Sequence, residues 1–215
     1  MAALRPAGVT NQTYRFPFPG QPDTVEGLID LMRPTLDLAL ACEPDRIVLA
    51  YTPEYMAGGI TASQRLRAFI EETTGLPATT ASDGVVAALD ALRARRLGLV
   101  TPYLPEANRN LEAYFSGHGF SIVNIAGFGT ARERRGSTSR VPESAVRDAF
   151  ARVDSPEVEV LLQVGTALVC AGFVADLETQ LGKPVVAVNT ATYWLALREH
   201  GIADRLGGYG ILCTS

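Results

Sequence analysis

The sequence predicts an α/β protein made of two pseudo-symmetric Rossmann-like lobes, with mainly parallel sheets and a central cleft. Two observations carry this expectation. From residue 45 onward, short apolar runs of buried-strand type alternate with amphipathic helical stretches, which is the pattern of βαβ units. One half of that pattern also recurs. Glu72-Thr-Thr-Gly-Leu-Pro77, a strand, Ser82-Asp83 and a helix are echoed by Glu178-Thr-Gln-Leu-Gly-Lys-Pro184, a strand, Asn189-Thr190 and a helix. Each copy follows a strand–loop–helix unit, with Tyr51-Thr52 in the first loop and Gly165-Thr166 in the second. Those loops end in Ala57-Gly58 and Ala171-Gly172 respectively. A duplicated half-domain puts two equivalent strand ends across a cleft. Ligands of parallel sheets collect there, where helix N-termini offer free N–H groups.

In chain order, residues 46–50 read as a buried strand and 51–59 as a loop. Residues 61–74 read as a helix with Leu66, Phe69 and Ile70 on one face, ended by Gly75-Leu-Pro77. Residues 78–80 form the next strand. Ser82 or Asp83 then caps a helix over 84–95 with Val85, Ala88, Leu89 and Leu92 along one side. Strand 97–101 ends at Pro102-Tyr103. Helix 105–117 carries Leu111, Tyr114 and Phe115, and strand 120–125 follows. Residues 127–140 are polar, basic and glycine-containing, and are expected to form an exposed loop. A helix to Val153, a strand over 158–164, a helix over 172–181, a strand over 184–188 and a helix over 191–200 complete the chain. Residues 1–215 are expected to form a single unit. One lobe comprises 1–80 with 190–215, and the other 81–189.

Composition excludes several classes. Hydrophobic residues at 47% and charged residues at 20% are typical of globular domains and incompatible with intrinsic disorder. The net charge of −4 comes without a long basic cluster, so no nucleic-acid partner is expected. No apolar run reaches the roughly 20 residues of a membrane span, and the N-terminus lacks a signal-peptide core. With three cysteines (Cys42, Cys170, Cys213), the expected location is the cytoplasm. Two histidines and scattered cysteines make a zinc site improbable.

The residues that could carry chemistry sit at strand ends. Thr52 supplies an amide and a hydroxyl next to Pro53, which has no N–H. Gly165, Thr166 and Ala167 offer three successive amides at the equivalent position, and Tyr103 places a phenol after a third strand. Together they would make a nest of neutral donors suited to a carboxylate or an enediolate. Asn108 and Asn189-Thr190 could bind a carboxylate or cap helices. His118 and His200 sit at helix ends with no acid and nucleophile beside them. Gly127-Phe-Gly129 lacks the ending of a phosphate loop. Arg132, Arg134, Arg135 and Arg140 read as a solvated face, from which one could cover an anionic substrate.

This arrangement resembles the aspartate/glutamate racemase superfamily, in particular its arylmalonate decarboxylase and maleate cis-trans isomerase branch. The resemblance runs from about Thr24 to Gly210. It is carried by residues 51–59, Thr101-Pro-Tyr103 with Asn108, residues 161–167, and Gly182-Lys-Pro-Val-Val186 through residues 189–197. It implies cofactor-independent chemistry on a small carboxylate, without metal. The substrate would be held by Thr52, Tyr103, Gly165 and Thr166, with Asn108 and Ala167 beside them. Family enzymes move protons with one or two strand-end cysteines, because a thiolate is a strong nucleophile of tunable pKa. Here the first cysteine position falls on Tyr51. The second falls on Val164 or Gly165, depending on one gap. Tyr51 and Tyr103 are therefore the expected catalytic residues. A Cys170 loop folded back into the cleft is a further option. Residues 9–18 would take the place of the family's second strand, so the first strand is expected to be missing.

The function expected from this resemblance is isomerisation or racemisation of a small carboxylate or dicarboxylate through an enediolate-like intermediate. The alternatives are an arylmalonate-type decarboxylase, a non-catalytic carboxylate-binding homologue, or a hydrolase or lyase using Tyr51 or Glu54 as acid or base. α/β proteins of this size often dimerise, so a homodimer is one assembly open to the chain, but the oligomeric state is not readable from the sequence.

Overall fold

A computed structural model describes residues 2–16, 24–130 and 137–214. The expected alternation is present, with six parallel strands among the described residues, divided between two sheets. The first sheet pairs β1 (Ile47–Leu49) with β2 (Ala78–Thr80). The second runs β4 (Ser121–Gly127), β3 (Arg96–Thr101), β5 (Val160–Gln163), β6 (Val185–Ala187).

The helices are α1 (Val25–Leu40), α2 (Gly59–Thr74), α3 (Ala81–Ala91), α4 (Pro105–Gly117), α5 (Glu143–Val153), α6 (Val174–Leu181) and α7 (Val188–Glu199). The repeat in the sequence is a repeat in the structure. β1, a 3-10 turn at Pro53–Tyr55, α2, β2 and α3 match β5, a 3-10 turn at Ala171–Phe173, α6, β6 and α7 in order.

Strand alternation divides the core of the second sheet. Leu99, Leu162 and Val186 point to a cluster with α3, α4 and α7, which includes Leu89, Leu111, Phe115 and Ala191. Their neighbours Val100, Leu161, Val185 and Ala187 point the other way, to Val146 and Phe150 of α5 and Val174 and Leu177 of α6. Helices thus cover both faces, which is why these strands read as continuous apolar runs. The smaller sheet packs Ile47, Leu49 and Ala78 against Leu28, Met32 and Leu36 of α1 and Leu66, Phe69 and Ile70 of α2.

Three sequence expectations change. Helix α1 lies before the region where alternation is evident, capped by the Thr24 hydroxyl, which accepts from Gly27 N–H. Helix α3 starts earlier than expected. Its cap is Thr80, in a capping box with Asp83, and neither Ser82 nor Asp83 is the cap residue. The strand expected within residues 9–18 is absent from its described part. Residues 9–16 are irregular, and 17–18 lie outside the described residues. This N-terminal segment is tied instead through Leu4, packed with Tyr193, Leu197 and Cys213, and through Asn11, hydrogen-bonded to the Tyr193 hydroxyl. Arg132, Arg134 and Arg135 also lie outside the described residues, while Arg140 is exposed at the end of a 3-10 turn.

The two sheets meet where α3 crosses α7, at a point with no room for a side chain. A β-carbon on Gly84 would lie 2.6 Å from the Thr192 Cα and 2.9 Å from the Ala191 carbonyl carbon. A polar clamp adds to this contact. Arg46 donates to Thr79 (2.9 Å) and to Glu199 of α7 (2.7 Å), and Thr79 also donates to Glu199. Alanine normally stabilises a helix interior relative to glycine. Gly84→Ala is expected to do the reverse and lower stability by about 1–3 kcal/mol, because backbone atoms must separate. Urea denaturation of the two proteins measures this directly.

Candidate active site

All six strands are parallel, so their carboxyl ends lie at one edge of each sheet, and the loops there bring the expected residues together. Thr52 follows β1 and Tyr103 follows β3. Both are almost fully buried, and their hydroxyls share a hydrogen bond of 2.7 Å. Gly165 follows β5 at φ +87°. A β-carbon there would strike the Pro102 ring at 2.4 Å and stand 3.6 Å from the Tyr103 hydroxyl. Glycine is therefore required both by the left-handed backbone and by this close approach. Three of the expected residues form one constellation contributed by both sheets.

The loop 164–167 is held with its peptide planes turned one way. Buried Gln163 donates from Nε2 to the carbonyls of Val164 (2.7 Å) and Gly165 (2.8 Å). Asn189 Nδ2 donates to the Thr166 carbonyl (2.9 Å), and Leu168 N–H closes the turn on the Gly165 carbonyl. The amides of Gly165, Thr166 and Ala167 donate to no group among the described residues. Carbonyls tied back and amides left open form an anion-binding concavity of fixed partial charges. Gln163 was not foreseen as a site residue; its signal was an amide side chain within the most apolar strand. Asn189 proves to be a fastener of this loop, and the N-cap of α7 is Ala187.

The phenols do not supply a titrating acid. Tyr51 shares a hydrogen bond with Tyr55, whose ring lies 5.3 Å from that of Tyr103. Burial, followed by Tyr55, holds the Tyr51 proton far above the ordinary tyrosine range. Burial and the nearby Glu54 do the same for Tyr103, opposed by the Thr52 hydrogen bond. Burial thus favours the neutral phenol of Tyr103. The described cysteines are no better placed. Cys170 is packed in the apolar cluster of α5 and α6, and burial raises its pKa strongly. Burial pushes Cys213 to about 11, and Cys42 is exposed beside Tyr14.

Glu54, two residues beyond Thr52, behaves differently. It is completely buried in the 3-10 turn, and neither carboxyl oxygen has a partner of full hydrogen-bond geometry. Helix α2 starts against it. Gly59 is needed there because a β-carbon would lie 3.0 Å from the Glu54 Cα. Burial lifts the Glu54 carboxyl to about 7, helped by Asp83 and opposed by its own amide and Ser82.

Asn108 goes elsewhere. Tyr103 N–H donates to the Thr101 hydroxyl, which donates to Asn108 Oδ1 (2.8 Å) on the β4 side of β3. The Tyr103 hydroxyl leans instead toward Thr52 and the loop after β5. Among the described residues no cluster of three or more His, Cys, Asp or Glu is placed to hold a metal, and no helix is long and apolar enough to cross a membrane.

Known proteins share this architecture. A sequence model of the arylmalonate decarboxylase family matches residues 47–213. An arylmalonate decarboxylase of Bordetella bronchiseptica is 33% identical over 158 residues, covering 72% of this chain and 65% of the relative's length. A maleate isomerase of Nocardia farcinica is 28% identical over 186 residues, covering 84% of this chain and 73% of that protein. Among solved structures, arylmalonate decarboxylase superposes with a TM-score of 0.73 at 26% identity, covering 87% of this chain and 81% of that one. The Nocardia farcinica maleate cis-trans isomerase reaches 0.86 at 23% identity, covering 99% and 90%, which speaks for the fold. With the sequence match spanning β1 to the C-terminal turn and the strand-end loops in the same fold, the chain belongs to the arylmalonate decarboxylase family.

Proposed function

We propose that the protein is a cofactor-independent enzyme acting on a small carboxylate or dicarboxylate, by isomerisation or racemisation through an enediolate-like anion. The observation that carries this reading is the constellation of the Thr52–Tyr103 pair, 2.7 Å apart, with the open amides of residues 165–167. The substrate carboxylate accepts from the one hydroxyl of the Thr52–Tyr103 pair whose proton is not donated to the other, and from the Gly165 and Thr166 amides, with Ala167 at the rim. When charge moves onto that carboxylate, donors already in place stabilise it without reorganising, which is the largest single contribution in many enzymes. Relatives named as a decarboxylase and a maleate isomerase fit an anion of this kind, which loss of CO2 forms from a malonate and addition of a nucleophile to the double bond forms from maleate. In a racemisation it forms by transfer of the α-proton to a base. The mapping of Tyr51 to the first cysteine position makes that ring a wall of the site, since its proton is too tightly held for exchange.

In this reading the proton carrier is Glu54. Of the groups around the nest with a shifted pKa, it is the one that titrates near neutrality. Its neutral form leaves the nest receptive to an anion, and its ionised form repels one. The missing thiols favour a second reading, a carboxylate-binding protein without turnover.

Proton NMR in D2O with maleate, maleamate, aspartate, glutamate, a hydantoin and an aryl malonate tests the first reading. Deuterium wash-in, isomerisation or loss of CO2 is expected for at least one acid. Saturable binding with none of these establishes the second reading instead. Thr52→Val and Tyr103→Phe should each lower turnover by about 10²-fold. Glu54→Gln should lower it by 10²-fold or more, at about the scale of a lost general acid or base.

Glu54 also makes two pH dependences. Its folded pKa lies above the unfolded value, so its contribution to stability is complete below about 4.5 and is lost as pH rises through about 7. The loss is at most about 3 kcal/mol. Wild type should therefore lose stability relative to Glu54→Gln between these pH values in denaturation curves. Carboxylate affinity should likewise fall as pH rises through 7 in wild type and stay flat in Glu54→Gln, as read by calorimetry.

A further inference from the structure

A second concavity lies between α4 and the carboxyl end of β4, and it accounts for the placement of Asn108. It has a volume of about 470 Å³ and is lined by Tyr103, Pro105, Asn108, Arg109, Glu112, Ile125 and the stretch Gly127-Phe-Gly129. Neither Thr52 nor Gly165 borders it.

Its floor is a fixed donor. Asn108 is 8% exposed, and its Oδ1 accepts from the Thr101 hydroxyl at 2.8 Å, which in turn accepts from Tyr103 N–H. The Asn108 NH2 group borders the cavity with no partner among the described residues, so it offers a donor to whatever enters. Gly127 keeps that end open. A β-carbon there would lie 2.8 Å from Asn108 Nδ2 and 2.6 Å from the Tyr103 carbonyl oxygen.

The rim carries one charge of each sign. Arg109 and Glu112, one turn further along α4, are both exposed and make no ion pair among the described residues. Pro105, Ile125 and Phe128 supply apolar walls. A neutral donor, one cation and one anion around an apolar chamber match a zwitterion with an apolar body more closely than a simple anion, which Glu112 would repel. We propose that this cavity binds a small α-amino acid with an apolar side chain. The carboxylate would be taken by the Asn108 amide and Arg109, the ammonium by Glu112, and the side chain by Ile125 and Phe128.

The test is an amide NMR titration of the full chain with L-leucine, beside 4-methylpentanoate and 3-methylbutylamine, which share its apolar body and lack one charge each. Saturable shifts of the Asn108 side-chain NH2 and of Gly127 and Gly129 are expected with L-leucine, at least tenfold weaker with either single-charge analogue. Asn108→Asp keeps the acceptor for Thr101 and replaces the donor, and should weaken binding at least tenfold. Arg109→Gln, on the surface, should do the same without touching the core. Thr52→Val should leave these shifts intact, which separates this cavity from the nest. The proposal is overturned by an absence of saturable shifts, by equal response to 4-methylpentanoate, by shifts confined to residues 165–167, or by binding unchanged in Arg109→Gln.

Discussion

Everything at the candidate site depends on three carbonyls being turned away from it. Gln163 holds those of Val164 and Gly165, and Asn189 holds that of Thr166. A peptide plane is rigid, so fixing the carbonyl of one residue fixes the N–H of the next. Two buried side-chain amides thereby aim a row of backbone donors without any positive charge. The consequence is a site that favours an anion through dipoles alone. Such a site responds strongly to any nearby ionised group, because the dielectric screening of bulk water is absent.

The second requirement is a fixed distance between the sheets. Thr52 belongs to the smaller sheet and Tyr103 to the larger, so their shared hydrogen bond spans two separately packed cores. The α3–α7 crossing at Gly84, in the first turn after β2, and the Arg46–Thr79–Glu199 clamp, which begins just before β1, hold the two sheets together. Tyr103 is then the hinge point of the chemistry. Its hydroxyl serves the nest, its carbonyl lies over Gly127, and its amide sets the Thr101–Asn108 chain. Glu54, the proton carrier of the proposed reaction, adds a carboxyl that burial lifts to about 7.

Much of this was legible in the sequence. Hydrophobic alternation and the echoed punctuation around Pro77 and Pro184 located the strands, because those signals report local geometry and burial. Strand-end logic also brought Thr52, Tyr103 and Gly165 to one place. What the sequence withheld depends on tertiary contact. Gln163 looks like an ordinary polar residue until the surrounding chain buries it, and Glu54, already open to an acid or base role in the sequence, owes its raised pKa to a burial the sequence does not display. Asn108 shares a short motif with Tyr103, yet strand register sends it to the β4 side. Helix α1 was missed for a different reason. Leu28, Ile29, Met32 and Leu36 do carry helical spacing, but they precede the region where strands and helices alternate.

The most direct measurement is the amide NMR spectrum of the labelled protein titrated with maleate at pH 6, where Glu54 is neutral. An anion held by the nest must accept from Gly165 and Thr166, with Ala167 at its rim, so the amide protons of 165 and 166 should move downfield together and that of 167 less, with a common saturation curve. Saturating shifts elsewhere, with those three amides unmoved, would contradict the account.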